Sequence, residues 1–356
     1  MNTSFQLIPF ENSEKWDKTV CSFPDHDIYY LHGYLSAFKI HGDGTPILLY
    51  YQKNELRCLC TFMIRDIATE EWAKDEIPTN TFFDAVTPYG YGGWLTDGNI
   101  SKENIQLFWD EYKKFMSSQN IIAAFTRWCP WLQNQEEFND LSTVIKLGNT
   151  ISIDTSSEQI IIENIKSKDR TTIRKAIKNG VQIEYSDDPH LLTIFREIYN
   201  KTMDKDNAIP YYYFEPEFYD SIAKDLKGKW KLFYALHEGN IIAMSIILFC
   251  NGKIHYHLSG SLFEYRNLNA TNLILYHVAL YGAQNDYHLF HLGGGVGSGE
   301  DSLYKFKKSF NKNGDKQFCI SKDCFDEEKY NYLVNLRKAK DPTFDENSTF
   351  FPLYRG

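Results

Sequence analysis

The chain has 356 residues and a formal net charge of −9, with 43% hydrophobic, 24% charged and 16% aromatic residues. Length alone suggests two domains of roughly 100–200 residues, and the balance of apolar and charged residues excludes a mainly disordered chain. An acidic balance excludes a global basic field that would draw the protein to nucleic acid or to an anionic membrane, although a local basic stripe remains open.

The start, MNTSFQLIPFENSEKW, has neither a basic n-region nor a long apolar core, so it does not read as a secretory signal. Residues 11–20 and 31–40 read as short helices. ILLYYQKNELRCLCTFMI (47–64) predicts a hairpin turning at Lys53-Asn54-Glu55. Cys58 and Cys60 alternate to one face of this hairpin. With no CxxC pair and no Cys/His spacing of a zinc site, the cysteines read as free thiols in a reducing cytoplasm, and no metal is expected. A Gly- and Tyr-rich loop follows at 82–95. Ser101 then caps a helix whose apolar positions Ile105, Phe108, Trp109, Tyr112, Phe115 and Met116 recur at three- and four-residue steps. IIAAFTRW (121–128) predicts a strand stopped by Pro130.

A strand is expected near 149–160, then one helix over 158–179 ended by Asn179-Gly180. VQIEYS (181–186) is the next strand, and helices are expected at 188–204 and 215–227. WKLFYALHEGNIIAMSIILFC (230–250) predicts a second hairpin. Its apolar run of about ten residues is too short to span a bilayer as a helix and reads as a buried strand. A strand at 253–261, a helix at 271–285, a strand at 288–295, a helix at 301–310 and a helical tail from about 323 complete the order. The halves share this order of helices, hairpin, loop, helix and strand. The sequence therefore predicts an α/β (α+β) protein of two tandem domains, 1–150 and 151–356, with mixed sheets flanked by helices.

Four groups of residues carry candidate chemistry. The loop Arg266-Asn267-Leu268-Asn269-Ala270-Thr271, with Asn272, precedes a helix whose N-terminal N–H groups suit a phosphate; a plain capped loop is the competing reading. HLGGGVGSGEDSLYKFKKSF (291–310) brings glycines beside a helix with Leu303, Phe306 and Phe310 as its expected buried stripe. Tyr304, Lys307 and Lys308 are expected on another face, where a lysine could steady developing negative charge or simply be solvated. Lys166, Arg170, Arg174 and Lys178 recur every four residues, as a phosphate-facing stripe or a solvated face. Strand alternation puts Lys253, His255, His257 and Ser259 on one face. A base acting near neutral pH could come from that face, as could structural histidines.

PYGYGG (88–93), FTRWCP (125–130), DRTTIRKAIKNGV (169–181), IYNKTMDKDNAIPYYYF (198–214), RNLNATNLILY (266–276) and HLGGGVGSGEDSLYKFKKSF (291–310) together resemble the FemABX-like branch of the GNAT acyltransferase superfamily. The resemblance implies two GNAT-like domains and acyl transfer to an amine in a cleft. It matches Phe306-Lys307 to the family's Phe-Lys pair, with Lys307 stabilising the transition state. It makes His255 or His257 a candidate base and Tyr304 a candidate acid. The pyrophosphate loop is matched in part by 266–271, where Asn269 and Thr271 replace small residues. Lys39, Tyr89, Tyr91, Arg170, Arg174 and Phe306 are implied as substrate contacts. No long helical-hairpin insertion stands in the chain.

The expected function is transfer of an acyl group from acetyl-CoA or another acyl-CoA to a small-molecule or nucleotide-linked amino sugar, or another cell-envelope precursor. The alternatives are aminoacyl transfer from aminoacyl-tRNA to a peptidoglycan precursor, and a non-catalytic module that binds a sugar nucleotide.

Overall fold

A computed structural model of the chain describes residues 4–356. The chain divides into two compact units, Met1–Leu147 with Phe318–Gly356, and Gly148–Gln317.

In chain order the first unit has β1 (Phe5–Ile8), α1 (Ser13–Cys21), α2 (His32–His41), β2 (Thr45–Lys53), β3 (Leu56–Asp66), β4 (Phe83–Val86), β5 (Leu95–Gly98), α3 (Lys102–Ser118) and β6 (Ile121–Arg127). β7 (Val144–Asp154) leads into the second unit. There follow α4 (Glu158–Asn164), α5 (Ser167–Lys178), β8 (Gln182–Ser186), α6 (Leu191–Lys205), α7 (Pro216–Asp225), β9 (Trp230–His237), β10 (Asn240–Cys250), β11 (Lys253–Ser261), α8 (Ala270–Gln284), β12 (Leu289–Gly293) and α9 (Ser302–Lys308). β13 (Asp315–Cys324) leads back to the first unit, which ends with α10 (Glu327–Lys340).

The strands of the first unit run β1-β2-β3-β4-β6-β13, with β5 added to β3; those of the second run β8-β9-β10-β11-β12-β7. In each, the fourth and fifth strands are the parallel pair, β4 with β6 and β11 with β12, and the pairs mapped beside them are antiparallel. A helix joins each parallel pair, as a parallel crossover requires. The two units thus repeat one order. Each also takes its last strand from the chain beyond its own run of elements: β7 comes before the second unit's elements, and β13 after them.

Both hairpins form where expected. Their turns use positive φ at Asn54 (50°) and Glu55 (66°), and at Glu238 (50°) and Gly239 (79°), which matches the twist of the flanking strands. Ser101 Oγ accepts from Asn104 N at 3.3 Å, capping α3. The first core packs α3, through Phe108, Trp109 and Tyr112, on Phe62, Trp94 and Trp128. The second packs α8, through Leu273, Ile274 and Val278, on Ile151, Ile247, Ile254 and Phe290. The run 242–250 is a wholly buried strand, and among the described residues the seven cysteines form no disulfide. Among the described residues no helix is long and apolar enough to cross a membrane.

Three expectations change. The segment 318–356, expected in the second domain, packs in the first unit. There Arg355 donates to Asp84 Oδ2 at 2.5 Å and pairs with Glu70, while Arg65 Nε holds Asp84 Oδ1 at 2.6 Å. Asp84 has no exposed surface, so its charge requires both guanidinium partners. Second, the expected helix 158–179 is two helices, because Ile165 and Lys166 are extended (ψ 131° and 143°). Ile165 is buried there, and Arg170 Nη1 satisfies the carbonyls of Ile162 and Ile165 at 3.1 and 2.8 Å, closing the end of α4. Third, β11 does not alternate throughout, as the site shows.

Candidate active site

The second unit holds a split between neighbouring strands. β11 and β12 are paired over three positions, Lys253–His255 against Leu289–His291. Beyond them β11 runs on to Ser261, while β12 ends at Gly293. The β10–β11 register shifts at His257: Ile246 faces Leu258, and Ile247 faces Tyr256. A bulge of this kind adds one residue and reverses the alternation after it. Ser259 therefore leaves the His255 face. It joins Tyr256, and its Oγ shares a hydrogen bond with Ser245 Oγ at 2.9 Å.

Next along the chain, α8 begins at Ala270 after Asn269, which takes a left-handed conformation (φ 56°). No side chain among the described residues caps this end, so the first N–H groups of α8 are left for another acceptor. Asn269 Nδ2 donates back to Asn267 O at 3.0 Å, and Asn272 Nδ2 donates to Asp169 on α5 at 3.3 Å. Ala270 is buried and Thr271 half-buried. Arg266 donates to Phe263 O at 3.1 Å, and its guanidinium lies 4.2 Å from the centre of the exposed Phe263 ring.

The glycine turn after β12 carries the other side. Gly293 and Gly297 have φ of 78° and 60°. A Cβ on Gly295 would sit 2.2 Å from Asp301 Oδ1, so no side chain fits there. Asp301 caps α9 by accepting from Tyr304 N at 2.8 Å, and it also accepts from Val296 N at 3.2 Å. The bond from Tyr304 N, first among its causes, holds the Asp301 carboxyl below its ordinary range. α9 then aims Lys307 back at the turn, where Nζ donates to Gly294 O at 2.7 Å. Lys307 is only 8% exposed. Burial lowers its pKa from 10.5 to about 8, against the opposing pull of the Asp301 charge.

The buried face of α9 is therefore Tyr304 and Lys307, with buried Phe310 just beyond its end, while Leu303 is exposed and Phe306 half-buried against Phe310 at 5.4 Å. This corrects the expected Leu303–Phe306–Phe310 stripe. A seven-residue helix buries whichever face meets a partner, and here the Gly294 carbonyl and Asp315 draw the polar tips inward. Tyr304 Oη donates to Asp315 Oδ1 at 2.6 Å, and Lys308 pairs with the same carboxylate. The candidate acid and the candidate oxyanion donor thus have different partners.

The sheet face away from α8 carries a row of polar side chains. His255 on β11 is opposite His291 on β12, with ring centres 6.1 Å apart, and His291 is opposite Ser152 on β7. All three are buried on the face away from α8, since Ile254, Phe290, Leu292, Ile151 and Ile153 belong to the α8 core. Burial, then the charges of His255 and Lys307, hold His291 well below the ordinary imidazole range. Burial, then His255, lowers His257 to about 3. Both rings are neutral at neutral pH, and His257 is too weak a base in this state to hold a proton there.

The remaining candidates lie apart from this cluster. Arg170 closes α4, and Arg174 is exposed. In the first unit Lys39 is exposed, 4.6 Å from the Phe10 ring centre. Tyr89 stacks on Phe38 at 5.4 Å, and Tyr91 meets Tyr29 and Trp131 edge-on at 5.5 and 5.2 Å. The sequence reading missed His291, Asp301, Ser152 and Asp315. For His291 the signal was present: it directly precedes Leu292 and the three glycines, in a strand whose apolar neighbours alternate around it. For the others only the tertiary partners reveal a role.

A family profile described as an acetyltransferase (GNAT) domain matches residues 164–308. Among solved structures, FemX superposes with a TM-score of 0.65 at 14% identity, covering 92% of this chain and 99% of FemX. The C-terminal domain of a putative lysylphosphatidylglycerol synthetase from Agrobacterium fabrum gives 0.53 at 11% identity, covering 87% and 91%. L-PGS from Bacillus licheniformis gives 0.51 at 12%, covering 92% and 95%. A comparison with curated protein sequences returns no match. The chain shares its fold with FemX, and residues 164–308 match the GNAT-type domain profile.

Proposed function

We propose that the protein is an N-acyltransferase that moves an acyl group from acyl-CoA to the amine of an amino sugar or another cell-envelope precursor, with the reacting atoms in the second unit near Lys307. The observation that carries this reading is a buried lysine at a glycine turn, beside a strand split and an uncapped helix start. A thioester needs no further activation. The protein has to hold an amine against the acyl carbon, accept negative charge on the carbonyl oxygen, and let a proton leave the nitrogen. The nitrogen lone pair forms the new C–N bond, the C–S bond breaks, and the sulfur leaves as thiolate and takes up a proton. Lys307, mostly protonated at neutral pH, is the donor for the oxyanion.

The free N–H groups of α8 fit a donor pyrophosphate, and Arg266 stands at the entrance to that helix. Asn269 adopts the left-handed turn that glycine otherwise supplies, and Ala270 keeps the approach to the backbone open. Tyr91 and Trp131, half-buried against the buried Tyr29, give the first unit aromatic edges suited to a sugar ring.

A second reading, aminoacyl transfer from aminoacyl-tRNA, is favoured by the fold shared with FemX and L-PGS and by Asn269 in the phosphate loop. The test is a melting-temperature panel of acetyl-CoA, CoA, UDP-amino sugars and tRNA, followed by product detection with whichever donor stabilises the fold. Stabilisation by acyl-CoA with an N-acylated product supports the first reading. Stabilisation by tRNA alone supports the second. Binding of a UDP-sugar without transfer from either donor rejects catalysis.

A further inference from the structure

Between the end of β11 and the start of α8 stands an exposed aromatic ring with two cations close to it. The arrangement begins at Gly260, where an added Cβ would sit 2.7 Å from Tyr199 Cα, so only glycine lets α6 close on the strand. Thr202 Oγ1 accepts from Ser261 N at 2.9 Å and ties the helix to the strand end. Lys205, the last residue of α6, is thereby brought beside Phe263, with Nζ 5.6 Å from the ring centre. Arg266 reaches the same ring from the following turn: it donates to Phe263 O at 3.1 Å, and its guanidinium lies 4.2 Å from the ring centre. The Phe263 residue is nonetheless 53% exposed. Lys205 also pairs with Asp206 at 3.1 Å, whereas Arg266 has no carboxylate partner among the described residues. Of the five N–H donors of a guanidinium, that carbonyl takes one.

An open ring beside an unpaired, planar cation fits a ligand that is flat and apolar on its face and anionic at its edge. Phe263 opens the short turn Phe263–Leu268 that leads into α8, and the first N–H groups of α8 have no side-chain cap. We propose that Phe263 and Arg266 form a seat for the adenosine of the acyl donor. The base stacks on the ring and guanidinium, and the unspent Arg266 donors meet the neighbouring phosphate. The inference rests on the reading of the α8 start as the donor-phosphate site. An adenosine phosphate is common to both donor classes: CoA carries adenosine 3′-phosphate on its pyrophosphate, and tRNA ends in adenosine on a phosphodiester. The seat therefore holds the part of the ligand farthest from the reacting carbonyl, and it contributes to affinity rather than to the chemical step.

The test is a calorimetric titration of the full chain with adenosine 3′,5′-bisphosphate, with CoA and with a short RNA hairpin ending in CCA, repeated in Phe263→Ala, Phe263→Leu and Phe263→Trp. Phe263→Ala is expected to weaken the adenosine ligand by about tenfold or more. Phe263→Leu, which keeps apolar bulk and removes the π face, is expected to weaken it nearly as much, and Phe263→Trp to retain it. A loss seen with CoA and not with the hairpin assigns the seat to the coenzyme, and the reverse assigns it to tRNA. Absence of binding by all three ligands in the wild type overturns the proposal. Equal affinity in the wild type and a folded Phe263→Ala protein also overturns it. If the alanine variant does not fold, Phe263→Leu decides: leucine binding as tightly as phenylalanine shows that no base stacks there. Acyl transfer from acyl-CoA with a donor KM unmoved by Phe263→Ala removes the seat and leaves the functional reading. Adenosine binding that depends on Phe263, without transfer from any donor, does the reverse.

Discussion

The Nζ of Lys307 donates to the carbonyl of Gly294 at 2.7 Å, across thirteen positions of chain that contain the whole glycine turn and the cap of α9. The bond holds the side chain in a fixed direction while burial penalises its charge. A developing oxyanion near this ammonium therefore meets a donor that is already oriented and poorly hydrated.

Lys307→Met is expected to lower kcat by about a hundredfold to a thousandfold with little change in donor KM. It is also expected to leave the melting temperature unchanged or raised, because a buried charge is removed. Lys308→Met, which loses only the half-exposed pair with Asp315, should keep most activity. Steady-state kinetics and thermal unfolding of the two variants check this. Equal, small losses of activity would return Lys307 to a structural role.

The pH dependence has a definite sign. Lys307 titrates at about 8 in the fold and at 10.5 when unperturbed. Activity that needs the ammonium should fall as pH rises through about 8. Between about 8 and 10.5 the unfolded chain holds the extra proton, so stability attributable to Lys307 rises with pH there and is flat below. Wild-type stability relative to Lys307→Met should therefore rise above about pH 8 in denaturant titrations.

Acid acts on different groups. His257 titrates at about 3 in the fold, against 6.5, and burial depresses His291 as well. Their depressed values make stability fall as pH drops from about 6.5 towards 3. Asp323, raised by burial to about 6 from 3.8, acts with the opposite sign between those two values. His257→Gln should flatten the acid limb of a stability-against-pH curve, and Asp323→Asn should steepen it.

Arg266→Ala should raise the donor KM by about tenfold with kcat little changed, the expected loss for one charge-assisted contact to phosphate. Donor use indifferent to the change would remove Arg266 from the phosphate site.

Arg170 and Arg174 should separate. Arg170→Ala loses bonds to two carbonyls and should destabilise by about 1–3 kcal/mol. Arg174→Glu, on an exposed position, should leave stability within about half a kcal/mol. If the stripe contacts a phosphorylated ligand, Arg174→Glu also weakens its binding, most at low salt. Urea unfolding and ligand titration read the two effects separately.

The sequence by itself determined the elements whose cause is local. Asn54-Glu55 and Glu238-Gly239 turn their hairpins, each pair with one residue, Asn54 or Gly239, that takes positive φ at little cost. Ser101 starts α3 because its hydroxyl reaches the third N–H. The run 242–250 is buried because it is apolar but for Ser245, whose hydroxyl is satisfied by Ser259. The repeated order of elements, and the glycine-to-lysine stretch 291–310, were legible for the same reason. Tertiary structure decided what depends on distant partners. β7 and β13 each pair with strands far from them in sequence, a choice no periodicity encodes. The tail 318–356 joins the first unit through the buried charge of Asp84, set by residues 271 positions apart. The buried face of α9 was decided by the Gly294 carbonyl and Asp315, because a two-turn helix has too few apolar residues to fix its own orientation. His291 entered the site only when the β11–β12 and β7–β12 registers placed it between His255 and Ser152, since pairing across strands, not spacing along them, sets which side chains meet.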